Sequence, residues 1–356
     1  MRPIKATISV DAMAHNLRVA RQHAGTVKLI AVVKANAYGH GLSRAVRAFS
    51  AADGFAVLTQ EEASNLRLMG VDKPILLLEG VFGLDELTAC VELDLWPVLH
   101  NKQQLDWLEH HPPAKPLQVF LKFDSGMHRL GFALSEFEAV LHRVKSLSSV
   151  AGITLMTHFA QADEVAGTRW QHTPFLQQAQ PSGLPWSSAN SAALLRDTEV
   201  LGTWVRPGIM LYGASPFADT PAAQLGLKPA MTLQSEIIAV QQVQAGEGVG
   251  YGLTYRAERD MRIGIVACGY ADGYPRHAPT GTPILVNSQH TRTLARVSMD
   301  MLYADLSDIP EADVGSPVVL WGEGLPVEDV ASAANTISYE LMCALAARVP
   351  VIEDVA

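Results

Sequence analysis

Val32-Val33-Lys34-Ala35-Asn36-Ala37-Tyr38-Gly39-His40-Gly41 is the stretch on which the reading of this sequence turns. It follows the apolar run 27–31, which predicts a buried strand, and it breaks into a loop from Asn36 to Gly41. A lysine therefore stands at the carboxyl end of a buried strand. In an apolar setting the charged ammonium is disfavoured, and the free amine that can attack an aldehyde becomes accessible. Taken alone, a strand-end lysine is a surface residue. Here Tyr38 and His40 follow within one loop, and glycines at 39 and 41 permit close backbone approach, so the stretch reads as a Schiff-base lysine on a structured loop.

Outward from it the chain repeats. An alternating segment at 5–10 predicts a strand, and 11–24 a helix with Asp11 in a capping position. Apolar runs then begin near Val27, Phe55, Ile75, Trp96, Leu117, Ile153, Pro185 and Trp204, several followed by helix-like segments such as 60–70, 84–93, 102–110 and 135–149. Successive starts at 55, 75, 96 and 117 lie 20 or 21 residues apart. Eight strand–helix units with continuously apolar strands predict an α/β fold, a parallel (β/α)8 TIM barrel with helices outside. A doubly wound open sheet is the alternative, and it gives eight repeats less readily. Residues 214–229, rich in Pro and Ala, read as a linker. Beyond it, alternating segments at 231–244, 262–267, 282–286, 302–306 and 317–321 predict a mainly β C-terminal domain. The expected division is a barrel over 8–222 and a β domain over 223–356, with the N-terminal strand 1–8 joining the latter.

The 356 residues suit two domains. A hydrophobic content of 48% with 18% charged residues is that of an ordinary globular protein. The net charge of −9, with no basic run, argues against a nucleic-acid partner. No signal-peptide core or membrane-span length occurs, so a cytoplasmic location is expected. Cys90, Cys268 and Cys343 have no metal or redox spacing and read as small core residues.

In a barrel the chemistry sits at the carboxyl ends of the strands. The first delivers Lys34, the fifth Lys122 and Arg129 around one loop, the sixth His158, the seventh Asn190 and Ser191, the eighth Arg206, Gly208 and Ile209. Ser191 opens a helix and Gly208 allows close backbone approach, so a phosphate fits there. Alone, Asn190-Ser191 is a helix cap. A Schiff-base lysine and a phosphate cup on one rim together suggest pyridoxal 5′-phosphate. No metal site is expected.

Val-Lys-Ala-Asn-Ala-Tyr-Gly-His-Gly at 33–41, Lys-Phe-Asp-Ser-Gly-Met-His-Arg-Leu-Gly at 122–131 and Arg-Pro-Gly-Ile at 206–209 resemble the alanine racemases. So do Gly-Tyr-Gly at 250–252, Gly-Tyr-Ala-Asp-Gly-Tyr-Pro-Arg at 269–276, Ser-Met-Asp at 298–300 and Thr-Ile-Ser-Tyr-Glu at 336–340, in order along nearly the whole chain. The resemblance implies a pyridoxal-phosphate-dependent isomerase of L- and D-alanine. Lys34 would carry the cofactor and act as one acid/base group; Tyr251, from the partner subunit of a homodimer, would be the other. Arg206 matches the residue facing the pyridine nitrogen and His158 the one bonded to that arginine. Tyr38, Ser191, Gly208, Ile209 and Tyr339 match phosphate contacts with Asn190 beside them. Arg129 and Met299 match the substrate-carboxylate side, and Tyr270 and Asp300 line the entrance and site. Lys122 matches a lysine often carbamylated in the family, which would let it hold Arg129. Ser298 stands where some members carry cysteine.

These residue types suit racemisation, which removes the Cα proton from one face and returns one to the other. A lysine amine and a tyrosine phenol on opposite faces serve both, given cations that stabilise the phenolate. An arginine opposite the pyridine nitrogen stays protonated, so that nitrogen stays bare and the ring is a weaker electron sink. Taken singly, Tyr251, Tyr270 and Tyr339 are packing residues, His158 a structural histidine and Asp300 a turn residue. The rival readings are a broader-specificity racemase or an amino-acid decarboxylase of the same fold, a non-catalytic pyridoxal-phosphate carrier, and a barrel for another phosphorylated metabolite. D-alanine supply for peptidoglycan and D-alanine catabolism are both consistent with the sequence.

Overall fold

The computed structural model describes residues 2–354; residue 1 and residues 355–356, the two ends of the expected domains, lie outside the described residues. The chain forms two units: a barrel unit of Ala14–Ala37 with Gly41–Leu211, and a β unit of the chain up to Met13, Tyr38–His40 and the chain from Tyr212 onward.

The strands, in chain order, begin with β1 (Lys5–Ile8) of the β unit. The barrel unit holds β2 (Lys28–Val32), β3 (Gly54–Val57), β4 (Ile75–Leu77), β5 (Leu95–Leu99), β6 (Leu117–Asp124), β7 (Phe132–Ala133), β8 (Val150–Met156), β9 (Trp186–Ser187) and β10 (Trp204–Val205). Every residue of β3 and β4 is buried, as a parallel strand covered on both faces requires. Neighbours pair in parallel from β2 through β6 to β8 and β9, and β10 returns to β2 through Trp204↔Lys28. Thr203 N donates to Trp186 O (2.8 Å) and Arg206 N to Ala189 O (2.9 Å), which joins the β9 and β10 ends. The fold is thus an eight-stranded parallel barrel, with the short β7 appended to β6.

Helices follow the strands at Gln60–Leu68, Leu84–Glu92 and Lys102–His110. The helix expected over 135–149 divides into a 3-10 turn, Leu134–Glu136, and a helix, Phe137–Ser146. The first helix runs Val10–Ala24, and its cap is Ser9, whose hydroxyl accepts from Ala12 N (3.1 Å), rather than Asp11.

The β unit is mainly β. It contains β11 (Met231–Val243), the hairpin β12 (Gly248–Val249) and β13 (Tyr255–Arg256), then β14 (Met261–Val266), β15 (Pro283–Val286), β16 (Gln289–Leu294), β17 (Leu302–Asp305), β18 (Pro317–Trp321) and β19 (Val351–Glu353). β11 shifts register between Ile237 and Ala239. Its first half pairs with β18 and its second with β14, which closes the ring β14-β17-β16-β15-β18-β11. β1 pairs antiparallel with β11 and parallel with β19. Residues 214–229, expected as a linker, are packed instead: Ala214, Phe217, Ala222 and Leu227 are buried, with a 3-10 turn at Ala222–Leu225. Cys90 and Cys268 are buried as expected, whereas Cys343 is exposed. Among the described residues no helix is long and apolar enough to cross a membrane.

Candidate active site

β2 ends at Val32, and Lys34 follows two residues later, half-buried. The loop was expected from Asn36. Instead the chain turns left-handed already at Ala35: φ is 54° at Ala35, 51° at Asn36, 54° at Ala37 and 52° at Tyr38. Four consecutive non-glycine residues in this region make one turn of left-handed helix, at a cost of roughly 1–2 kcal/mol each. Hydrogen bonds offset it. Ala37 N donates to Val33 O and Gly41 N to Asn36 O (both 2.9 Å), Leu42 N to Asn36 Oδ1 (2.9 Å), and Ala35 N to Glu62 Oε1 (2.8 Å).

At the ends of β6, β8 and β10 the chemistry is cationic. Arg206 is buried, and its Nη2 donates to Thr157 O (2.9 Å), Ser188 O (3.4 Å) and His158 Nδ1 (3.4 Å), while Nη1 donates to Ser187 Oγ. All four partners are neutral. Burial pushes the guanidinium down to about 9, which leaves it charged at neutral pH. Because Nδ1 of His158 accepts, its proton is assigned to Nε2. Burial, then the charges of Arg206, Lys122, Arg129 and Lys34, hold that imidazole well below the ordinary histidine range, so it is neutral. Four of the cations foreseen at this rim thus act on one histidine. Lys122 is buried; burial, Arg206 and Arg129 push its ammonium down to about 8 against the opposing pull of Asp124 and Glu79. Arg129 is exposed on the loop after β6. That loop is pinned by Asp124, whose Oδ1 accepts from Gly126 N (2.9 Å) and His128 N (3.0 Å).

At the ends of β9 and β10, where a phosphate is expected, the arrangement differs in detail from expectation. The helix runs Ser191–Arg196, and its cap is Asn190, whose side chain accepts from Ala193 N (3.0 Å). Ser191 Oγ, expected to face an anion, accepts from Gly208 N (2.9 Å) and Met210 N (3.4 Å), tying the loop after β9 to the loop after β10. Its hydroxyl proton remains a donor.

In the β unit, Tyr38 stacks on Tyr212 with ring centroids 4.7 Å apart and lies 5.9 Å from Tyr339. Burial, then Tyr339 and Cys343, raise the Tyr38 phenol, so it stays a hydrogen-bond donor. Gly39, at φ 81°, passes so close that a Cβ would come 2.3 Å from Met342 O. Tyr251 stands at the tip of the β12–β13 hairpin, 70% exposed, between Gly250 (φ 69°) and Gly252 (φ 72°). Tyr270 and Met299 lie on adjoining loops: Tyr270 N donates to Ser298 O and Ala271 N to Met299 O, each at 3.0 Å. Asp300 is committed to Arg348, whose Nη2 lies 2.7 Å from Oδ1.

Sequence reasoning did not single out the residues that hold these groups. Ser187 and Thr157 seat Arg206, and their only signal is adjacency to strand ends. The buried Asp272 takes Arg2 Nη1 and Arg348 Nε at 2.7 Å each and Gly269 N at 2.9 Å, fixing the Tyr270 loop. Against its burial, Arg2 and Arg348 hold the Asp272 carboxyl below the usual range. The donor set at the strand ends of the barrel, the cations Arg206 and Lys122, the Ser191 hydroxyl and the Lys34 amine, fits an anionic aldehyde such as pyridoxal phosphate.

The sequence profile "Alanine racemase, N-terminal domain" matches residues 8–216, and "Alanine racemase, C-terminal domain" matches 230–353. The chain belongs to the alanine racemase family. An alanine racemase from Thiobacillus denitrificans is 71% identical over 353 residues, covering 99% of this chain and 96% of the relative. One from Nitrosomonas eutropha is 52% identical, covering 99% of each. Among solved structures, the biosynthetic alanine racemase from Pseudomonas aeruginosa superposes with a TM-score of 0.97 at 47% identity, covering 100% of both chains. The alanine racemase barrel and β domain are therefore the frame in which Lys34, Arg206 and Tyr251 are held.

Proposed function

We propose that this chain is a pyridoxal-phosphate-dependent racemase interconverting L- and D-alanine, active as a cytoplasmic homodimer in which Tyr251 serves the partner subunit's site. The observation that carries it is Arg206, buried, still cationic and held only by neutral groups, on the rim that presents Lys34. When bound, pyridoxal phosphate supplies an aldehyde for the amino group and a conjugated ring that spreads the charge left when the Cα proton departs.

The protein does the rest. Ser187, Thr157 and His158 fix the plane of the Arg206 fork, which cannot readily release a proton and would therefore leave the ring nitrogen of the bound cofactor unprotonated. The Lys34 amine would carry the cofactor and move the Cα proton on one face, and the Tyr251 phenol would move it on the other. Ser191, Gly208 and Ile209, with the Tyr38 and Tyr339 hydroxyls, would hold the phosphate, while Asn190 caps the helix that Ser191 opens. Arg129 and Met299 take the substrate carboxylate, and Tyr270 and Asp300 line the entrance. Supply of D-alanine for peptidoglycan is the role in view, the enzyme of Pseudomonas aeruginosa being described as biosynthetic.

The test is proton NMR of L-alanine with protein and pyridoxal phosphate in D2O, with optical activity followed on the same sample. Loss of the Cα proton with decay of rotation to zero and alanine conserved is expected. Exchange with rotation retained would remove Tyr251 from its role, and no exchange would overturn the substrate.

A further inference from the structure

We propose that Glu62 is a positioning residue for Lys34, acting through the backbone of Ala35; this rests on the reading of Lys34 as an acid/base group. Glu62 belongs to the helix Gln60–Leu68, in the loop region after β3, and forms a capping box with Thr59. That box needs one carboxylate oxygen. Oε2 supplies it, accepting from Leu58 N (3.0 Å) and Thr59 N (3.4 Å), while Thr59 Oγ1 accepts from Glu62 N (3.2 Å). Oε1 is surplus to the helix and accepts instead from Ala35 N at 2.8 Å, 27 residues away in sequence.

The recipient is telling. Ala35 opens the left-handed turn, and its N–H belongs to the same peptide plane as the Lys34 carbonyl. A fixed acceptor on that plane fixes ψ of Lys34 and hence the direction of its Cα–Cβ bond. Water could satisfy the exposed Ala35 N–H, but water would not hold the plane in one orientation; a carboxyl group itself anchored by two further N–H groups does. The loops after β2 and β3 are thereby fastened to one carboxylate. Misplacing a proton-transfer group by about 1 Å costs on the order of a hundredfold in rate.

The test compares Glu62→Ala, Glu62→Gln and Thr59→Ala in the full chain loaded with pyridoxal phosphate. Thr59→Ala damages the capping box and leaves the Ala35 bond intact. Three readings are taken: kcat and KM in both directions, the isotope effect with Cα-deuterated L- and D-alanine, and the rate at which pyridoxal phosphate becomes borohydride-fixed on Lys34. Glu62→Ala is expected to lower kcat on the order of ten- to a hundredfold with KM nearly unchanged. It should also raise the isotope effect for one enantiomer only and slow fixation on Lys34. Thr59→Ala should leave all three near wild type. Glu62→Gln, which keeps one acceptor oxygen, should fall between them and carries the comparison if Glu62→Ala does not fold. Equal behaviour of the Glu62 and Thr59 variants, or an isotope effect raised alike for both enantiomers, would overturn the proposal. The fixation rate needs no turnover, so a wild type that fixes pyridoxal phosphate without racemising would count against the proposed activity alone.

Discussion

Lys122 is held by folding near the balance between ammonium and amine. With its ammonium pushed down to about 8, half of it is neutral at that pH, whereas roughly one in a few hundred ordinary lysines is. A neutral amine adds carbon dioxide, forming an N–CO bond and releasing one proton, and the product is an anion beside the cations Arg206 and Arg129 that depress the ammonium. The modification would turn two repulsions into two attractions. In the unmodified protein the direction follows from the lowered value: between about 8 and the ordinary lysine value of 10.5 the unfolded chain binds more protons, so this group makes stability rise with pH across that window. With 13C-labelled bicarbonate, a carbamate carbon signal is expected to grow between pH 7 and 9 and to be missing in Lys122→Met. A wild type without that signal at any pH would remove the modification. Lys122 and Arg129 were legible in the sequence as two cations around one loop. The buried serine and threonine that seat Arg206 were not, since a hydroxyl at a strand end carries no signal until the neighbouring strand is placed.

At the scale of elements, strands buried on both faces were legible because each reads as an unbroken apolar run; β4, β6 and β10 begin at the residues where their runs begin. β16 was missed because Gln289-His290-Thr291-Arg292 is largely exposed and polar, so neither alternation nor an apolar run marks it. The left-handed turn after Lys34 was also hidden. Of Ala-Asn-Ala-Tyr only Asn36 tolerates that region readily, and hydrogen bonds to Glu62 and Leu42 impose it on the whole turn. Asn36 and the glycine that follows the turn are its only hints in the sequence. Gly39→Ala must adopt φ 81° and also bring a methyl within 2.3 Å of Met342 O, whereas Gly246→Ala, at φ 87°, meets nothing within 4 Å. The second should cost only the conformational penalty of about 1–2 kcal/mol, and the first clearly more, because a backbone carbonyl must move. Denaturant unfolding of the two variants checks this: equal losses would mean that the segment at Met342 yields freely.

For the whole molecule the decisive question is which chain supplies the second base. Tyr251 is 70% exposed at a hairpin tip, and the same unit exposes Leu253, Met299 and Ile337 at 53%, 53% and 60%. Apolar side chains held out on structured loops are what an interface between copies requires. The hairpin is no floppy excursion. Its base packs on a buried cluster of Val249, Ala257, Met261, Ile263, Leu294 and Ala295, so Tyr251 is presented on a firm support. If each site takes Lys34 from one subunit and Tyr251 from the other, then Lys34→Ala and Tyr251→Phe should each be deficient alone, the latter by roughly 10²–10⁴-fold. Yet the two should complement when mixed as unfolded chains and refolded together. Random pairing puts half the protein into mixed dimers, each with one site lacking both groups and one intact, so about one quarter of wild-type activity should return. Sites built within single chains would return none, because every site would then lack one base whatever its partner.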